Sequence, residues 1–259
     1  MKRILLIILV ICLMVVFLSS GYCALGKWKQ IKTLHFVIYF QETPPGFIDK
    51  VKERAEDYYR EINFNMGFSR YEYWTWDERC KIYIYSSKED YVEYTGQPNW
   101  SAGCADYKER SIKSYPLASG FIDTLLPHEM GHLIFRDFVG HSNTVPLWLD
   151  EGVATYQELA RRWGSKRTVL NSVKNNTFMT VEELTNIDTR KLKSRTQIEL
   201  FYAESSNLVS FLIERYGKAK FRYFCEDLGK RYSLEKAIAN NYPFRDLNEL
   251  NSTWLRYLK

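Results

Sequence analysis

The chain has 259 residues, enough for one large domain or two small ones. Apolar residues make up 46% and charged residues 26%, which excludes an intrinsically disordered chain. The net charge is +5, with no basic tract and no aromatic-interleaved basic stripe, which argues against a nucleic-acid partner.

Lys2 and Arg3 open the chain, an unbroken apolar run fills residues 4–18, and Ser19, Ser20 and Gly21 follow. This is the layout of a secretory signal, and the run is short for a span that needs about 20 residues. Gly21 and Cys23 are the small residues expected before a cleavage point, which places residues 1–23 in the signal and Ala24 at the mature start. An uncleaved anchor through residues 4–18 is the alternative. A lipid on Cys23 is a third, to which Tyr22 is a poor fit. Each reading puts the rest of the chain outside the cytoplasm. In that environment Cys80 and Cys104 either pair or, with Cys225, stay as buried thiols.

Residues 34–40 (LHFVIYF) read as a strand, broken by Pro44 and Pro45. Residues 47–64 carry a helical pattern with Val51, Ala55, Tyr58, Tyr59 and Ile62 on one side. Residues 80–85 (CKIYIY) alternate as a second strand, and 88–94 form a short helix. Residues 95–105, with Gly96, Pro98, Asn99 and Gly103, read as loop. Tyr107 and residues 110–115 suggest a short strand pair. The second of these could take a substrate backbone by strand addition, or be an ordinary edge. Aromatics reach 16%, with 19 Tyr, and exposed strand faces are the natural place for many of them.

Residues 124–138 follow as a helix holding HEMGH at 128–132. His128 and His132 then lie one turn apart on one face, so both imidazoles can reach one metal ion. Glu129 lies about 100° round the helix, beside the metal rather than on it, as a general base for water requires. Pro127 is tolerated in the first turn, with Thr124 as N-cap; a kinked, longer helix is the alternative. A second helix starts near Pro146 in PLWLDEGVATY. Glu151, in that run, can supply the third ligand of a site that keeps one open position.

Residues 164–176 read as short helix and loop. Thr180 opens a capping-box pattern, and residues 197–216 form a long helix stopped by Gly217. Three shorter helices cover 218–228, 233–240 and 247–258. The order is an α+β plan: a mixed β-sheet lobe with helices over about 32–140, then a mainly helical lobe over about 141–259.

HExxH, eighteen residues, and then Glu in a WLDEG context is similar to the gluzincin zinc metallopeptidases, specifically the peptidase MA-like group. The resemblance covers about residues 32–259 and implies a Zn2+ cleft between the lobes. It carries over His128, His132 and Glu151 as ligands and Glu129 as base. It also implies a hydroxyl or imidazole donor from the helical lobe for the oxyanion, and Tyr202 in FYAESSNLVSFLIERYG is the candidate. Tyr156 is a weaker one, five residues past Glu151 and facing away. For the outer partner of a ligand histidine, Thr155 is the better placed residue, and Asp150 reads as a helix cap. The aminopeptidase branch carries a G-x-M-E-N run upstream. Here residues 101–109 read SAGCADYKE and lack that Glu, which points to an endopeptidase acting on peptides or proteins. The competing reading is a catalytically silent zinc-binding envelope protein with an assembly role.

Overall fold

The computed structural model describes residues 28–68, 74–188, 192 and 194–258. The expected signal over residues 1–23 lies outside them. Among the described residues no helix is long and apolar enough to cross a membrane.

Five strands form one mixed sheet in the order β1-β2-β3-β5-β4. They are β1 (Lys29–Lys32), β2 (Phe36–Phe40), β3 (Cys80–Ile84), β4 (Gly103–Asp106) and β5 (Ser111–Ser114). β2, β3 and β5 run parallel, while β1 and β4 are antiparallel to their neighbours at the two edges. On one face Phe36, Ile38, Cys80, Ile82, Ile84 and Ile112 are fully buried. Helix α1 (Phe47–Met66) covers them with Val51, Ala55, Tyr58, Tyr59, Ile62 and Met66, close to the expected stripe. The other face carries much of the aromatic excess: Tyr39 stacks on Tyr83 at 4.9 Å, and Trp28 meets Tyr83 and Tyr85 edge-on at 5.7 and 5.2 Å.

Two strand expectations change. Residues 103–106 form an edge strand rather than loop, and residues 111–114 lie inside the sheet, so β5 cannot accept an added strand. Gly103 explains the first: a Cβ there would overlap the Leu125 side chain and stand 2.8 Å from the Lys113 carbonyl. Pairing and close approach make this strand, not β-propensity. Cys80, Cys104 and Cys225 are free thiols. With β5 between β3 and β4, and Cys104 level with Tyr83 rather than Cys80, the two thiols are separated by at least two strand spacings, about 9.5 Å, beyond disulfide reach. The pairing expected as one alternative is not made.

After α2 (Lys88–Thr95) the chain is helical beyond the sheet: α3 (Leu126–Val139), α4 (Leu147–Tyr156), α5 (Leu159–Lys174), α6 (Val181–Thr185), α7 (Arg195–Tyr216), α8 (Lys218–Gly229), α9 (Leu234–Asn241) and α10 (Leu247–Leu258). α5 is one continuous helix where mixed helix and loop was expected. Thr180 and Ser194 both close capping boxes, the first as expected. This is the expected α+β architecture, with the sheet on the N-terminal side and helices following.

Glu204 on α7 is fully buried, accepting only from Ser172 Oγ and the Met179 N–H. Burial pushes its pKa up to about 8, with those two hydrogen bonds opposing the rise. A raised carboxyl pKa means its stability contribution is complete below the unfolded value near 4.5 and is lost as pH rises to about 8. The wild-type melting temperature should fall across that window, by the equivalent of up to roughly 5 kcal/mol. Glu204→Gln should flatten that fall. Parallel pH-melting slopes in the two proteins would rule out a buried neutral carboxyl.

Candidate metal centre

The first motif helix does not start as expected. Gly120 at φ +70° opens a π-wound turn, Phe121–Leu125, which runs directly into α3. Leu126 N–H reaches the Phe121 carbonyl, and Leu125 N–H reaches that of Gly120, each one residue farther back than an α-helical bond. Thr124 therefore sits inside the turn and caps nothing. Pro127 is second in α3; it has no N–H to continue this series of bonds, and the widened turn before it makes room for its ring.

On α3, His128 Nε2 and His132 Nε2 come to 3.2 Å of one another. Glu151 Oε2, from α4, is 3.8 Å from the first and 3.5 Å from the second. Two glycines allow this. A Cβ on Gly131 would meet Ala154 Cα at 3.0 Å, so α3 and α4 touch backbone to backbone. A Cβ on Gly152 would lie 2.5 Å from the Ser205 carbonyl oxygen, so α4 is pressed equally close to α7. The small residues of HEMGH and WLDEG are therefore what bring Glu151 over the histidines.

Each histidine is oriented from behind. His128 Nδ1 donates to Glu158 Oε1 at 2.8 Å, and His132 Nδ1 donates to Asp150 Oδ1 at 3.0 Å. Both Nε2 atoms are thus left as lone-pair acceptors facing each other. The other Asp150 oxygen takes a fork from Arg136, 2.9 Å from Nε and 2.6 Å from Nη2. Asp150 is not a helix cap, and Thr155 is not the outer partner: its hydroxyl is buried without a hydrogen bond. Glu158 was missed altogether. It lies where the chain leaves α4, at φ −81° and ψ 99°, outside the helical spacing that guided the sequence reading.

Glu151 Oε2 is also buried with no hydrogen-bond donor. Two imidazole lone pairs and an unsatisfied carboxylate oxygen thus share one small space, which is unfavourable unless a cation joins them. Ligand atoms about 2.0–2.1 Å from a tetrahedral zinc stand roughly 3.3–3.5 Å apart, and the three separations here bracket that range. The donor set fits zinc.

Glu129 is half-buried beside this cluster rather than in it. Burial raises its pKa, while His128 and His132 pull it back and the Ala105 N–H of β4 donates to it. Tyr202, on α7, is brought alongside: burial and then the charge of Glu151 push its hydroxyl up to about 12, with Arg161 opposing. Tyr156 is core, with the Arg162 guanidinium 3.8 Å above its ring. A second tyrosine escaped the sequence reading. Tyr107, just past β4, sets its ring edge-on to His132 with centroids 6.3 Å apart. Only its position after the edge strand could have signalled it.

A family model described as the Peptidase MA superfamily matches residues 75–259. Solved structures with a similar fold include native yeast LTA4 hydrolase, at TM-score 0.51 and 16% identity over 88% of this chain and 39% of that one. Yeast LTA4 hydrolase in complex with bestatin aligns at TM-score 0.47 and 14% identity, over 90% of this chain and 36% of that one. The chain spans less than two-fifths of the length of these proteins. No curated protein sequence matches it.

Proposed function

The chain belongs to the Peptidase MA superfamily, and from that we propose that it is an exported zinc endopeptidase. The observation that carries the reading is the convergence of His128 Nε2, His132 Nε2 and Glu151 Oε2, with that glutamate oxygen buried and unpartnered. These three would hold the zinc, with Asp150 and Glu158 fixing the imidazoles from behind. A zinc ion bound there supplies Lewis acidity, polarising a carbonyl and making a bound water acidic near neutral pH.

Glu129 has the base's position. One carboxylate oxygen takes the proton of the attacking water, and the same side chain returns it to the departing amide nitrogen. The Ala105 N–H holds the carboxylate, and burial makes its proton affinity higher than an exposed glutamate's. β4 is the sheet edge next to the centre, so an extended substrate can add to it as a further strand. Tyr202 stands on the opposite, helical side and can donate its hydroxyl to the developing oxyanion. Internal cleavage is favoured because SAGCADYKE lacks the Glu with which an aminopeptidase of this branch holds a free amine, the fourth position from Gly103 being the shorter Asp106. Export rests on the signal-like residues 1–23.

His128→Ala, His132→Ala and Glu151→Ala should each lower zinc content to a small fraction and abolish cleavage of a peptide library. Full zinc stoichiometry in Glu151→Ala would remove that residue from the ligand set. Zinc-loaded wild type that cuts no member of the library would overturn the enzyme reading.

A further inference from the structure

Between α5 and α7 lies a cavity of about 520 Å3 that the reaction described above does not use. Thr155 and Tyr202 form its wall toward the metal centre, Ile198 and Ala203 give it an apolar side, and Arg161 and Arg195 stand at its rim. Its size is that of a ligand pocket. We propose that it is a specificity subsite of the peptidase, and that it binds a carboxylate of the substrate through Arg161 and Arg195. The proposal rests on the peptidase reading.

Arg161 joins the cavity to the metal centre through one atom. Its Nη1 donates to Glu158 Oε1 at 3.2 Å, the same oxygen that receives His128 Nδ1. Arg161 also lies over the ring of Tyr202, which lines the same cavity, so a substrate side chain passing Tyr202 from the metal can approach the guanidinium. The guanidinium has five donors in a planar fork, and this contact uses one. It is 5.9 Å from the Tyr202 ring centre, a cation–π placement that steadies it. Arg195 opens α7, so its charge adds to the positive end of a 22-residue helix. Its present partner is Glu199, at 2.7 Å, and both side chains are largely exposed. An exposed pair of this spacing is weak and exchanges readily for a better-held carboxylate. Two cations and one carboxylate line the space, so it selects anions, while Ile198 and Ala203 offer apolar surface to a side-chain stem.

A carboxylate reaches this site either as an acidic side chain or as the free end of the peptide. The test uses the mature chain carrying Glu129→Gln, zinc-loaded, with binding read by fluorescence anisotropy. Labelled peptides differ at one position as Glu, Gln or Lys, each made with a free and an amidated C-terminus. Wild-type cleavage of the same set runs in parallel. Carboxylate-bearing peptides should bind about tenfold more tightly than their neutral counterparts, in keeping with a charge-assisted contact. A preference that survives amidation assigns an acidic side chain, and one removed by amidation assigns the C-terminus. Added to the test protein, Arg195→Gln should bring the ratio toward one, and Arg195→Glu should turn the preference to Lys. Arg161→Gln should act likewise, with zinc content measured because its partner Glu158 holds His128. Equal binding of all peptides overturns the subsite even where they are cut. Preference in binding without cleavage of any peptide overturns the peptidase reading and leaves the subsite standing.

Discussion

Glu129→Gln is expected to keep its zinc and its melting temperature while peptide hydrolysis falls by roughly two orders of magnitude or more. Glutamine has nearly the shape of glutamate, and its carbonyl oxygen can still accept the Ala105 N–H that holds Glu129 now. Packing and the metal-binding face are left as they are, because the ligand atoms come from His128, His132 and Glu151. Only the ability to take and return a proton is removed. Zinc content, thermal melting and cleavage should be measured on one preparation. Wild-type turnover in this variant would sink the mechanism, and lost zinc would mean that Glu129 supports the site rather than the chemistry. Tyr202→Phe should be milder, about 10²-fold, as expected for loss of one oxyanion donor.

The largest effect on stability is expected from Gly152→Ala. The added methyl would lie 2.5 Å from the Ser205 carbonyl oxygen and 2.9 Å from its carbon. Both atoms belong to the middle of α7, so relief requires moving a helix rather than turning a side chain. The cost should be roughly 3 kcal/mol, or about 6–12 °C in melting temperature for a chain of this size. Moving α4 from α7 also moves the neighbouring Glu151, so zinc affinity should drop in the same variant. Gly164→Ala is the control: in α5, with nothing within 4 Å of its Cβ, it should be neutral or slightly stabilising. Equal melting of the two variants would show that the α4–α7 approach is not tight.

The centre was legible where it depends on spacing within one element. His128 and His132 are four apart on a helix, Glu129 follows a quarter-turn round, and WLDEG announces a second helix; these needed only the helical period. What depends on how two elements rotate against each other was not legible. Thr155 has the right spacing from Glu151 but a hydroxyl that finds no partner, whereas Asp150 and Glu158 reach the imidazoles. β4 was hidden for another reason: Gly-Cys-Ala-Asp has little strand propensity, and it is a strand because β5 and Leu125 demand close backbone there. The π-wound entrance of α3 follows from Pro127 and Gly120 jointly, a register that no single-residue preference encodes.

Every group that would hold or orient the zinc lies between His128 and Glu158, a contiguous stretch of the chain. The ring closed by the ion spans only the 24 residues from His128 to Glu151. Closing so short a loop costs little chain entropy, and that cost grows only logarithmically with length. The two histidines need one helical turn, which forms locally and fast. During synthesis, capture of the ion therefore does not wait for the last hundred residues. A metal taken up at that point would clamp α3 against α4 and present a preformed surface for α7 to dock on when Gly152 meets Ser205. Zinc supply would then govern the yield of folded protein as well as its activity, and protein made under zinc starvation should fail first at the docking of α7.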